Sequence, residues 1–184
     1  RLISMLTGGM NAPILPPSDM AIDRAVDILR AGGLVAMPTE TVYGLACDAA
    51  NPDAVARLYE AKGRPRFNPL IAHVGPGEMD RREVRFNAVA TSLAGHFWPG
   101  PRTLVLPLAV SHPVCDLARA GLETLAVRMP AHPLALDVIA GFGGPIVAPS
   151  ANPSGRLSPT TAQHVAADMG DRIDLILDGG DCSL

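Results

Sequence analysis

Lysine is almost missing from this chain of 184 residues: of its 15 basic residues all but Lys62 are arginine. Cysteine is scarce as well. Cys47, Cys115 and Cys182 cannot all pair, and no two show the Cys-x-x-Cys spacing of a metal or redox site, so the expected compartment is a reducing cytoplasm. Aromatic residues make up 4%, which leaves few platforms for stacking single-stranded nucleic acid. The net charge of −3 excludes a basic coat over the whole surface and leaves room for a local basic patch. Hydrophobic residues reach 48%, yet no uninterrupted apolar run approaches the roughly 18 residues that span a bilayer, so no membrane role is expected. The first seventeen residues lack the compact apolar region and small-residue cleavage site of a secretion signal. Gly-x-x-x-x-Gly-Lys-Ser/Thr, Gly-x-Gly-x-x-Gly and Gly-x-Ser-x-Gly are all missing, so neither standard nucleotide loop nor a hydrolase elbow is present.

The length suits one domain that hides roughly 70% of its unfolded surface on folding. Residues 1–17, ending in Pro16-Pro17, read as an N-terminal arm, and residues 18–184 as the domain. Ser18 or Asp19 caps a helix with Ile22, Ala25, Val26 and Leu29 on one face, ended by Gly32-Gly33. Asn51 caps a second helix whose stripe is Val55, Leu58 and Tyr59 and whose stop is Gly63. Further helices are expected at 88–97, around 134–140, and from Ser158-Pro159 to about Met169. Strands are expected at 34–37, 70–74, 104–108, 125–129, 145–148 and 173–177, with Pro107 confining its strand to an edge or bulge. Alternating helices and strands define an α/β class, and several connections too short for helical crossovers predict a mixed sheet.

Two stretches can carry chemistry. Arg57, Lys62, Arg64 and Arg66 face a single acid, Glu60, within ten residues. A solvated helix end accounts for Arg57 and Arg66. Lys62 and Arg64 straddle Gly63 before Pro65, which presents two cations from a constrained turn, as a polyphosphate site requires. Chance survival of one lysine is the other reading. The second stretch, Ser150-Ala151-Asn152-Pro153-Ser154-Gly155, is either an ordinary strand-to-helix loop or an anion cradle of small hydroxyl and amide groups. His73 sits near the end of an apolar strand, where a core histidine and a functional one read alike. Arg128 interrupts an apolar strand, so its charge needs an anionic partner from the protein or a ligand.

Four ordered segments, Pro38 to Leu45 (PTETVYGL), Lys62 to Leu70 (KGRPRFNPL), Trp98 to Pro101 (WPGP) and Pro149 to Thr160 (PSANPSGRLSPT), together resemble the YrdC/Sua5 family of threonylcarbamoyl-AMP synthases. The resemblance runs from about Ala21 onward. It implies a single α/β domain with a twisted, mixed, mostly open sheet flanked by helices and a concave basic face. It also implies a nucleotidyltransferase that condenses L-threonine, bicarbonate and ATP into threonylcarbamoyl-AMP and pyrophosphate, for t6A modification of transfer RNA by a downstream machinery. On that basis Lys62, Arg64, Ser150 and Asn152 form the family's Lys/Arg/Ser/Asn constellation, with Lys62 and Arg64 stabilising charge at the phosphates. Arg64, Asn68, Thr124, Asn152 and a helix start at Ser158 would hold ATP. Thr41, His73, Arg128 and Ser150 would hold L-threonine, and Thr39 and Tyr43 would shape the loop. Mg2+ is expected to travel with the triphosphate, since no Asp/Glu cluster marks a metal site. Arg102 stands where the family has an apolar residue. The family continues past a segment like Asp178–Leu184 into a Gly-x-x-Ser-Thr stretch, so the domain is expected to be truncated at its C-terminus. The rival reading is a module that grips double-stranded or ribosomal RNA on the same basic face, by shape and phosphate contact.

Overall fold

The computed structural model describes residues 11–76 and 83–182. Its elements in chain order are β1 (Ile14–Leu15), α1 (Asp19–Arg30), β2 (Val35–Pro38), β3 (Tyr43–Asp48), α2 (Pro52–Lys62), β4 (Ile71–His73), α3 (Ala88–Phe97), β5 (Leu104–Pro107), β6 (Thr124–Arg128), α4 (Pro133–Phe142), β7 (Ile146–Val147), α5 (Ala162–Met169) and β8 (Leu175–Leu177). The helix starts follow capping chemistry. Ser18 accepts from the Ala21 N–H, Asn51 from Asp53 and Ala54 with Pro52 in the first turn, and Asn87 from Ala90. Gly63 ends α2 at φ 58°, a left-handed conformation that glycine takes without strain.

The eight strands form one sheet in the order β1-β8-β2-β3-β7-β4-β6-β5. It is mixed: β1, β8 and β2 run parallel, β3 and β7 are antiparallel to their neighbours, β4 and β6 are parallel, and β5 closes the edge antiparallel to β6. The strand containing Pro107 is therefore an edge, as a residue without an N–H requires. Side chains alternate across β2. Val35 and Met37 join α1 and α4 in one core, around Ala25, Leu29, Val138 and Ile139, while Ala36 faces the other, with Val55, Leu58 and Tyr59 of α2 and Val165 of α5.

Three local expectations change. β3 is a strand that the sequence does not announce, because Tyr43-Gly-Leu-Ala-Cys is buried on both faces and so lacks a period of two. Gly44 is needed there for close approach: a Cβ would lie 3.3 Å from that of Ala148. Residues 14–15, read as part of an arm, pair with Ile176 and Leu177 as the edge strand β1. The last helix begins at Ala162 and not at Ser158. The 158–160 segment is non-helical, with Pro159 O accepting from Tyr43 N (2.9 Å) and Thr160 O from Cys182 N (2.9 Å), and Thr161 Oγ1 caps the helix through His164 N. Carbonyls committed to sheet-like partners cannot also start a helix.

Candidate active site

Two clusters sit at the ends of neighbouring strands, tied together through the start of β3. The first is built on the turn between β2 and β3. Thr39 Oγ1 accepts from the N–H groups of Thr41 and Val42, each at 3.2 Å, and donates to Val42 O at 2.7 Å. Thr39 Oγ1 and Thr41 Oγ1 lie 3.0 Å apart, and the Thr41 oxygen accepts from Arg128 Nη2, also at 3.0 Å. Arg128 ends β6, directly in register with His73 of β4. The anionic partner that its position demands is Glu40, whose Oε1 lies 2.5 Å from Nη2 and whose Oε2 accepts from Ala131 N at 3.0 Å. Burial alone would raise the Glu40 carboxyl, but the Ala131 N–H, its own N–H and Arg128 outweigh that and hold it below its ordinary value. Arg128 Nε is buried without a partner. His73, buried and facing the Arg128 charge, is pushed down to about 4, so it is a neutral imidazole whose Nδ1 is 3.2 Å from Ile71 O.

The second cluster joins the end of α2 to the 150–156 loop. Lys62 is 2% exposed, and its Nζ donates to Ser150 O and Asn152 O, both at 2.5 Å. In return Ser154 N donates to Lys62 O at 2.7 Å. Burial and then the Arg64 charge push the ammonium down to about 8. Asn152 is buried too, with Nδ2 donating to Pro153 O (2.9 Å) and Arg156 O (2.8 Å) and Oδ1 left without a partner. Arg64, half-buried, reaches Asn68 O and Pro69 O at 3.4 and 3.2 Å, and Asn68 O also accepts from Tyr59 Oη at 2.7 Å. Ser150 bridges Gly44 of β3, and Ala151 N donates to Tyr43 O, which sets this loop beside the Thr39–Thr41 turn.

Thr41, His73 and Arg128 thus come together in one cluster, and Lys62, Ser150 and Asn152 in the other. Arg64 and Asn68 share the loop after α2. Thr124 opens β6, about 13 Å along the strand from Arg128 at a rise of ~3.3 Å per residue. Ser158 is exposed in the non-helical segment before α5. Tyr43, expected to shape the loop, is buried in the core, and its Oη donates to Gly180 O at 2.8 Å. Arg102 is exposed, with its guanidinium 4.6 Å over the Phe97 ring at the end of α3. Glu40 is the site residue that sequence reading missed. Its signal was present, since Arg128 required an anion and Glu40 is the one acid in PTETVYGL.

The arrangement is a mixed α/β sheet domain with charged residues clustered at strand ends, and comparisons with known proteins agree with the fold. The family model for Sua5, YciO and YrdC proteins, described as "Telomere recombination", matches residues 27–184. The chain belongs to that family. It is 49% identical over 167 residues to a threonylcarbamoyl-AMP synthase of Bacillus subtilis, covering 90% of this chain and 48% of that protein. It is 51% identical over 160 residues to one of Pyrococcus abyssi, covering 85% and 46%. The crystal structure of P. abyssi Sua5 complexed with L-threonine superposes with a TM-score of 0.87 at 46% identity, over 92% of this chain and 51% of that one. The chain spans about half the length of these relatives.

Proposed function

We propose that this chain carries the site that makes threonylcarbamoyl-AMP from L-threonine, bicarbonate and ATP, releasing pyrophosphate. The observation that carries the reading is the pairing of two unlike clusters at adjoining strand ends: a guanidinium framed by a hydroxyl and a neutral imidazole, and a loop stitched to a buried ammonium. The α-carboxylate of threonine matches Arg128, and its hydroxyl matches Thr41 and His73, with Ser150 at the border of the two clusters. Arg64, Asn68, Thr124 and Ser158 are assigned to ATP, with Asn152 on the same side of the site through its loop.

The chemistry needs positioning more than covalent help. The threonine amine attacks bicarbonate carbon and water departs, leaving an N-carboxylate. Its oxygen attacks the α-phosphorus and the bond to the pyrophosphate oxygen breaks. Arg64, with the Lys62 ammonium contributing to the local field, places positive charge where negative charge shifts onto the leaving phosphates. Among the described residues no three His, Cys, Asp or Glu are grouped to hold a metal ion, so Mg2+ enters as part of the MgATP substrate. No helix among the described residues is long and apolar enough to cross a membrane. We assign the product to a downstream transfer machinery that modifies transfer RNA, in the cytoplasm.

The test is mass spectrometry of a mixture of the protein, MgATP, bicarbonate and L-threonine. Threonylcarbamoyl-AMP with stoichiometric pyrophosphate is expected. Salt-sensitive binding to duplex RNA with no turnover would replace this reading by the RNA-binding one.

A further inference from the structure

Hydrogen-bond accounting divides the four residues Lys62, Arg64, Ser150 and Asn152 unevenly. An ammonium has three donors, and Lys62 spends two of them on Ser150 O and Asn152 O. A carboxamide nitrogen has two, and Asn152 spends both on Pro153 O and Arg156 O, which fixes the amide orientation and turns its unpartnered oxygen inward. Both side chains are at least nine-tenths buried. Four carbonyls of one seven-residue loop are therefore held by two buried side chains, and the loop answers with Ser154 N on Lys62 O. Arg64 differs. It is half-buried, its two contacts with carbonyls are long, and those contacts use only two of its five N–H donors.

We propose that Lys62 and Asn152 are positioning residues that build the 150–156 loop, and that direct recognition of the nucleotide's phosphates falls to Arg64. The near-absence of lysine elsewhere fits this role. Two carbonyls each 2.5 Å from one buried nitrogen suit a compact ammonium better than a planar guanidinium. The loop half of the proposal stands on the geometry alone; the nucleotide half rests on the activity proposed above.

Hydrogen exchange of the unliganded protein tests the loop half. In Lys62→Met the amides of Ser154 and Arg156 are expected to exchange at least about tenfold faster, while those of the β3 and β4 strands keep their rates. Asn152→Asp, which turns an acceptor toward Pro153 O and Arg156 O, is expected to loosen the same amides and carries the test if the methionine variant does not fold. Because Lys62 is the chain's single lysine, 15N-lysine labelling gives one side-chain signal. Slowly exchanging ammonium protons in the wild-type protein without nucleotide are expected, and an ordinary fast-exchanging lysine overturns the clamp without any variant. Calorimetry with ATP tests the other half. Arg64→Gln should weaken binding at least about tenfold with loop exchange unchanged. If Lys62→Met weakens ATP binding with loop exchange unaltered, Lys62 contacts the ligand and the proposal fails. If the wild-type protein binds no ATP, the proposed activity and the nucleotide half both fall, and the exchange data still decide the loop.

Discussion

The two clusters handle their buried cations in opposite ways. Arg128 is neutralised within the protein: Glu40 sits 2.5 Å away, and the pair is only 12% and 16% exposed at the side chains. Lys62 meets carbonyl dipoles alone, and among the described residues neither it nor Arg64 forms an ion pair. The difference matches what each half is proposed to bind. A zwitterionic amino acid brings no net charge, and a neutral Arg-Glu pair receives it without leaving a buried charge unbalanced. A triphosphate brings several negative charges, and an uncompensated positive turn attracts it.

The largest expected effect is a break in the neutral half. Arg128→Ala leaves Glu40 without its cation and removes the carboxylate partner. A loss of about 3 kcal/mol in denaturant unfolding is expected, with threonine binding weakened by roughly a hundredfold or more. ATP affinity should hold within a few fold, and equal loss of both ligands would show that the halves are not separable. Next comes selectivity. Product formation from L-valine should fall at least about a hundredfold below that from L-threonine, because a methyl leaves the polar groups of Thr41 and His73 unpaired. Comparable rates would mean that these residues do not read the side chain.

Breaking the charged half should cost less. Arg64→Ala is expected to raise the KM for ATP at least about tenfold, the worth of one charge-assisted contact at roughly 1.5–3 kcal/mol, while Arg57→Ala, which breaks a partly exposed ion pair with Asp174, changes it less than about twofold. Parallel behaviour of the two variants would remove the turn after α2 from the site.

The smallest effects are in pH. Lysine 13C labelling should report a midpoint near 8 for Lys62, and ATP affinity should decline as pH rises through it and the ammonium discharges. A midpoint near 10.5 would mean that the side chain is solvated. His73 gives the opposite window. Its folded value of about 4 lies below the ordinary 6.5, so the unfolded chain binds more protons between them, and the stability contributed is present above 6.5 and lost as pH falls toward 4. Replacing His73 by Asn should flatten that part of the stability profile.

Much of this was legible in residue order. Helix caps at Ser18 and Asn51 act within three residues of themselves, and Gly63 sets its own left-handed stop, so local reading finds them. Pro107 confined its strand to an edge or a bulge for the same reason, since its missing N–H is a property of one residue. The motif segments pointed to the family, and Arg128 announced that it needed an anion.

What the chain order did not contain was decided across long separations. Glu40 meets Arg128 from 88 residues away, and Lys62 finds its carbonyls 88 and 90 residues on. β3 became a strand because neighbours bury both of its faces, and Ser158 lost its helix because Tyr43 and Cys182 claimed the carbonyls beside it. A side chain's donors and acceptors are written in the sequence, but their partners are chosen only when the sheet closes, because burial makes every unpaired polar group costly and leaves each to bond with whatever the fold has brought within reach.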